Sequence, residues 1–251
     1  MEKTVNFDHV YNLTTPKESI KNPPLPFTTS TLQQCCSNEL NMNPKNTMKA
    51  CQTLYEAGFI TYMRTDSTTY SEEFIENITT YIEKTYSNNY IKQNIKNLCL
   101  RSENKESQEA HEAIRPTNIN LLEVEKKIGI NESRVYKLIR RNTLESCMCP
   151  AKYSVIKAFI TAPDNNTYNY KKDIIVKYKN ITSNVTIKNT KTHYTESRLV
   201  NLLEKNGIGR PSTFSSLVDK IQERNYVKKT NIKGKKITCI DYELIDDEII
   251  E

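Results

Sequence analysis

Apolar residues recur at helical spacing along several stretches of the chain, and between them the pattern changes to short β-branched or alternating runs. Met48, Cys51, Leu54 and Tyr55 form one stripe. Asn43 is placed to cap that helix, Pro44 takes its first helical position and Gly58 stops it. Ser71 can cap the next helix, in which Glu72 and Glu73 favour the positive end of the dipole and Phe74, Ile75, Ile78, Tyr81 and Ile82 turn inward. Residues 132–144 keep helical spacing through Val135, Leu138 and Ile139. Thr195 heads a helix with Leu199, Leu202 and Leu203 as its apolar face and Gly207 as its stop. Phe214, Leu217, Val218 and Ile221 mark another. Thr28 to Thr31 supply caps for a short helix over 32–40.

Strand patterns lie at the two ends of this helical region. Residues 5–13 read as a polar strand and 14–22 as a linker. In Pro23-Pro24-Leu25-Pro26 each proline fixes φ and restricts the residue before it, which makes a stiff connector and a domain boundary. From Lys152 the period switches, predicting strands over 153–160, 173–178 and 184–188. Residues 87–109 are polar enough to predict a surface excursion, and 118–131 a short polar turn. Residues 225–229 with the Gly234 turn predict a wing or hairpin.

Phe59 to Met63 is short, β-branched and aromatic, with Gly58 before it and a polar cluster after it, so it predicts a strand. Residues two apart on a strand share a face, which sets Tyr62 beside Arg64 and turns Thr61, Met63 and Thr65 the other way. An unperturbed phenol ionises near ~10 and is a poor nucleophile at neutral pH without a base or cation nearby. A guanidinium can supply that cation and hold a phosphate oxygen as charge builds, which suits attack on a phosphodiester. On spacing alone, ordinary cross-strand packing explains the pair equally well.

His111 and Arg115 are four apart, but Pro116 pushes Arg115 toward extended geometry. An imidazole and a guanidinium there could both address a phosphate; the plain alternative is a satisfied histidine and a surface ion pair. In Gly207-Ile208-Gly209-Arg210-Pro211-Ser212-Thr213 the glycines leave the backbone open, and hydroxyls and amides at a helix start favour a phosphate, helped by Arg210 and by Arg224 three turns on. The alternative is a helix-turn-helix elbow.

The string Ile60-Thr61-Tyr62-Met63-Arg64-Thr65-Asp66-Ser67 resembles the active-site motif of type IA DNA topoisomerases, closest to the bacterial topoisomerase I branch. Further matches to that family follow the same order: Pro23 through Gln34, Ala110 through Thr117, and Gly207 through Thr213 running on to Val227. Collinear motifs from Pro23 to Val227 are far more specific than any one of them.

The resemblance implies a multidomain α+β fold. A winged-helix-like tyrosine domain (29–148) would be inserted into a β-rich arch domain (1–28 and 149–192), with part of a helical single-stranded-DNA-binding domain after it (193–251). It implies that Tyr62 cuts one DNA strand through a 5′-phosphotyrosyl intermediate and reseals it to relax negative supercoils. Arg64 would stabilise the scissile phosphate, with His111 as a third catalytic group and Arg115, Arg210, Ser212, Thr213 and Arg224 along the DNA path. The family also carries a Toprim domain whose Glu and Asp-x-Asp pair hold Mg²⁺. No such acidic motif occurs in this sequence, so the expectation is an incomplete enzyme, inactive alone, needing a Toprim-containing polypeptide. A non-catalytic single-stranded-DNA-binding remnant is the alternative.

Composition narrows these readings only a little. The 251 residues carry a net charge of +6, which favours a polyanionic partner without demanding one. No GxxxxGK[ST] loop occurs, so ATP is not implied. Rolling-circle nickases need two closely spaced histidines, but His9, His111 and His193 are far apart. An integrase would place its tyrosine last, after an HxxR element. The seven cysteines lack paired CxxC spacing, which predicts no zinc site and reduced thiols in an intracellular, DNA-associated protein. Neither a membrane span nor a secretion signal is expected.

Overall fold

The computed structural model describes residues 10–99, 112–161, 167–174, 180–182, 193–230, 243–245 and 248–250. By compactness the chain divides into two units. One holds residues 1–22, 150–191 and 233–251, the other 23–149 and 192–232.

The first unit is built on β3 (Ala151–Thr161). Along one edge of β3 lie β1 (Tyr11–Leu13) and β2 (Lys17–Lys21), and along the other lies β4 (Thr167–Ile174), all antiparallel. β1 and β2 line up end to end because Pro16 has no N–H for the ladder. Thr14 holds the junction, donating its N–H to Lys157 O at 2.9 Å and accepting the Lys157 N–H on its hydroxyl at 3.0 Å. The linker expected over 14–22 is therefore partly a strand. Its Lys17, Glu18 and Lys21 hid the pattern, since an edge strand exposed on both faces shows no apolar alternation. β4 begins before the expected 173, and 175–179 lie outside the described residues. So does the strand expected over 184–188. A second sheet pairs β5 (Asn180–Thr182), β6 (Glu243–Ile245) and β7 (Glu248–Ile250) in that order.

The second unit contains α1 (Thr29–Leu40), α2 (Pro44–Glu56), α3 (Glu72–Tyr86), α4 (Ile130–Cys147), α5 (Glu196–Lys205) and α6 (Phe214–Glu223). The starts of α1, α2, α3 and α5 follow side chains placed to cap them, whereas α4 and α6 start without a side-chain cap. Thr28 and Thr31 cap α1 reciprocally, Asn43 Oδ1 accepts the Asn46 N–H at 2.7 Å, and Ser71 and Thr195 cap α3 and α5. α2 ends where Gly58 takes a φ of +75°, with Gly58 N–H bonded to Tyr55 O and Phe59 N–H to Leu54 O, both at 2.9 Å.

Leu32, Cys51, Leu54, Ile60, Ile114, Val135 and Ile139 close a first core between α1, α2 and α4. Full burial of a Leu or Ile side chain stabilises by roughly 1.5–3 kcal/mol. A second core gathers Tyr70, Phe74, Ile78, Ile82, Leu98 and Leu144. Residues 88–98, expected as a polar excursion, are part of it: the second of two 3-10 turns buries Leu98, Ile91 and Ile95 pack alongside, and Tyr70 N–H reaches Leu98 O at 2.7 Å. Within 118–131, Ile119 and Val124 are likewise buried. On α5 the buried face is Ser197 and Val200, while Leu202 stays 41% exposed, contrary to expectation. The helix packs its Ser197 side against α1, which favours small and polar residues at close approach.

Candidate functional site

Residues 59–63 do not form the expected strand. Ile60 makes an isolated bridge to Pro116 and the pairing goes no further. Thr61 N–H bonds Arg115 O, and Thr117 N–H bonds Phe59 O, both at 3.0 Å. The Thr61 hydroxyl then takes over from the ladder, accepting the Arg115 N–H at 3.0 Å and donating to Ala113 O at 2.9 Å. Past Thr61 the partner becomes α1. Thr29 N–H donates to Thr65 O at 2.9 Å, and the Thr29 hydroxyl accepts the Thr65 N–H at 2.9 Å while donating to Met63 O at 2.7 Å.

The predicted alternation nevertheless holds. Met63 and Thr65 are buried, and Tyr62, Arg64 and Asp66 are exposed. Tyr62 is 39% exposed, whereas Tyr70 is fully buried with its hydroxyl 3.1 Å from Ser146 Oγ. Tyr55, expected in the core stripe, is exposed on the last turn of α2. Its ring meets that of Tyr62 edge to face, centroids 5.3 Å apart. Arg64 is exposed and makes no hydrogen bond or ion pair among the described residues.

Arg115 sits differently. Its Nε donates to Glu112 Oε2 at 2.5 Å, another nitrogen reaches Ser71 Oγ at 3.4 Å, and its guanidinium carbon lies 4.1 Å from the centre of the Phe74 ring. His111 lies outside the described residues.

The glycine-rich stretch follows α5, which closes with the same pair of bonds that ends α2: Gly207 N–H to Glu204 O and Ile208 N–H to Leu203 O. Gly209 has a φ of +86°, which strains any other residue, and a Cβ there would come within 2.7 Å of the Leu217 side chain and require it to shift. Thr213 uses its hydroxyl on the turn itself, accepting the Arg210 N–H at 2.8 Å and lying 3.1 Å from Arg210 O. Ser212 and Arg210 are exposed. Arg224 is exposed at the far end of α6, about 15 Å of helix away from Thr213.

A cleft of about 120 Å³ joins these parts. Thr28, Ser30, Thr65 and Asp66 line one side, and Glu204, Gly207, Gly209, Arg210, Pro211 and Phe214 the other. The structure thus brings Arg210 to the residues that follow Arg64, and leaves Arg224 and the Arg115 guanidinium elsewhere. Ser30 Oγ donates to Glu204 Oε2 at 2.6 Å, and Asn201 Nδ2 reaches Gln34 Oε1 at 3.1 Å, tying α1 to α5 beside the cleft. Sequence reasoning missed Thr29, Tyr55 and Glu204. The signal for Thr29 is its place in the Pro23–Gln34 string, where helix capping alone accounts for the hydroxyls. Among the described residues no group of three or more His, Cys, Asp or Glu side chains could hold a metal ion, and no helix is long and apolar enough to cross a membrane.

A family profile described as DNA topoisomerase matches residues 3–177 and 161–246. DNA topoisomerase 1 of Escherichia coli is 36% identical over 247 residues, 86% of this chain and 28% of that protein. DNA topoisomerase 1 of Buchnera aphidicola from Acyrthosiphon pisum is 36% identical over 84% of this chain and 27% of its own length. The prokaryotic-type DNA topoisomerase 1 of Acanthamoeba polyphaga mimivirus is 34% identical over 88% of this chain and 31% of its own length. The chain thus spans less than a third of these curated relatives. Among solved structures, full-length topoisomerase I from Thermotoga maritima superposes with a TM-score of 0.66 at 28% identity, covering 90% of this chain and 42% of that one.

Proposed function

Because the chain belongs to the type IA DNA topoisomerase family, we propose that it carries a strand-cutting site on residues 62–64 and acts on single-stranded DNA. The Tyr62 phenol oxygen attacks the phosphorus of a phosphodiester. The bond from phosphorus to the 3′ oxygen breaks, that oxygen leaves as a 3′-hydroxyl after taking up a proton, and the phenolic proton passes to solvent. The product is a 5′-phosphotyrosyl ester. In resealing, the 3′-hydroxyl attacks the same phosphorus and the phenol leaves. One ester replaces another in each direction, so neither step needs ATP. Arg64 holds a non-bridging oxygen as charge builds on it. Arg210 at the cleft and the exposed Ser212 two residues on meet the backbone of the bound strand, and Arg224 extends that path. Thr213 serves the same path by shaping the Arg210 turn.

His111 is proposed as a further catalytic group. Arg115 is proposed to act on the DNA path by holding the 112–117 segment against 59–61, since its own guanidinium is engaged with Glu112. The Mg²⁺ that the family resemblance implies finds no donor set among the described residues, and none of these steps runs through it. Relaxation of supercoils by this chain together with a Toprim-containing polypeptide is part of the same proposal.

The observation that carries the reading is the exposure of Tyr62 and Arg64 together on an extended segment whose intervening side chains are buried. The test incubates the chain, alone and with a Toprim-containing polypeptide and Mg²⁺, with an oligonucleotide labelled at its 3′ end, then runs a denaturing gel. A labelled protein band that disappears in Tyr62→Phe is the expected result. No band under any reconstitution, with salt-sensitive binding unchanged by Tyr62→Phe, leaves a non-catalytic DNA-binding protein instead.

A further inference from the structure

We propose that Thr29 is a positioning residue for the Tyr62 phenol and the Arg64 guanidinium, acting through the main chain of Met63 and Thr65; this rests on the strand-cutting reading of Tyr62. An extended segment outside a sheet has no ladder to hold its register, so its alternation survives only where something else grips the backbone. On the N-terminal side of Tyr62 that grip is the Thr61 hydroxyl, between Arg115 N–H and Ala113 O. Beyond Tyr62, among the described residues, it is Thr29, across an interval of 34 to 36 residues.

The geometry explains why a hydroxyl is needed. Thr29 is the first residue of α1, where amides have no intrahelical acceptor, and its N–H is thereby available for Thr65 O. Its own carbonyl belongs to the helix, so the Thr65 N–H needs another acceptor, and the side-chain oxygen takes that place at 2.9 Å. The hydroxyl proton is then left for Met63 O at 2.7 Å, with Thr65 O a longer contact at 3.1 Å. One fully buried side chain thus holds a donor and an acceptor on the residues either side of Arg64. A one-residue slip would carry Met63 and Thr65 outward and Tyr62 and Arg64 into the core.

Thr29→Val keeps the shape and removes the hydroxyl, Thr29→Ala gives a second such variant should valine fail to fold, and Thr29→Ser restores the hydroxyl. The first readout does not depend on cleavage: 3-fluorotyrosine placed at position 62 of the full chain is observed by ¹⁹F NMR below each variant's unfolding transition. One narrow line is expected in the parent and in Thr29→Ser, and a split or broadened line in Thr29→Val and Thr29→Ala. The second readout is adduct formation on the 3′-labelled oligonucleotide, expected to slow by about 100-fold in Thr29→Val and Thr29→Ala, as for other small misplacements of a reacting group. Thr29→Ser should recover the rate, and oligonucleotide affinity should stay the same in all. An unchanged line, or an unchanged rate in a folded variant that lacks the hydroxyl, overturns the proposal. If the parent itself forms no adduct, the strand-cutting reading falls, while the fluorine line still decides whether Thr29 holds the segment.

Discussion

Residues 59–66 and 112–117 are two extended segments joined by the same bridge, each carrying one arginine singled out by the sequence, and the two arginines have opposite environments. Arg115 keeps only 13% of its side-chain surface exposed and is committed to Glu112, Ser71 and Phe74. Arg64 stands exposed, without such partners among the described residues. A half-buried, paired guanidinium contributes to stability and is costly to remove, because its carboxylate partner would be left desolvated. An exposed one contributes little to folding and remains available to an anionic ligand. The local motif does not distinguish these fates; the surface each segment packs on does.

The largest effect expected from this contrast is at Arg64. Arg64→Ala should lower the adduct rate by about 10²–10³, the range for losing one group that stabilises developing charge, with little change in the unfolding midpoint. Arg64→Lys should recover part of the loss. Arg115→Ala should do the reverse, costing roughly 1–3 kcal/mol in urea unfolding while oligonucleotide binding keeps its salt dependence. If Arg64→Ala destabilises as much as Arg115→Ala, the comparison fails.

Arg210 tests the cleft. Arg210→Ala should weaken single-stranded binding and make the plot of log affinity against log salt shallower by about 0.7, the loss of one phosphate contact. The smallest effect concerns thiols that the proposed chemistry does not use. Burial pushes Cys36 and Cys147 from an ordinary 9.0 up to about 12. A folded-state value above the unfolded one means this contribution is whole below about pH 9 and lost as pH rises toward 12. The urea midpoint should therefore be flat around neutrality and fall in that alkaline window, less so in Cys36→Ala if Cys36 is one source.

Where a feature depends on residues within one or two turns, the sequence was sufficient. Asn43, Pro44 and Gly58 bound α2, Ser71 opens α3, and period-2 alternation puts Tyr62 and Arg64 on one side, because caps and pleats are local geometry. The family motifs pointed to the same segment. Features that need a distant surface were not legible. Lys17–Lys21 is a strand only because β3 offers a free edge, and Leu98 is buried only because α3 and α4 leave room for it. Val200 rather than Leu202 is buried, since Phe214 and Val218 of α6 cover that face of α5. Thr29 could be read as a cap, but its bonds to Met63 and Thr65 exist only once α1 lies against them. Backbone groups far apart in the chain find partners by packing, and a linear pattern does not encode which of them will meet.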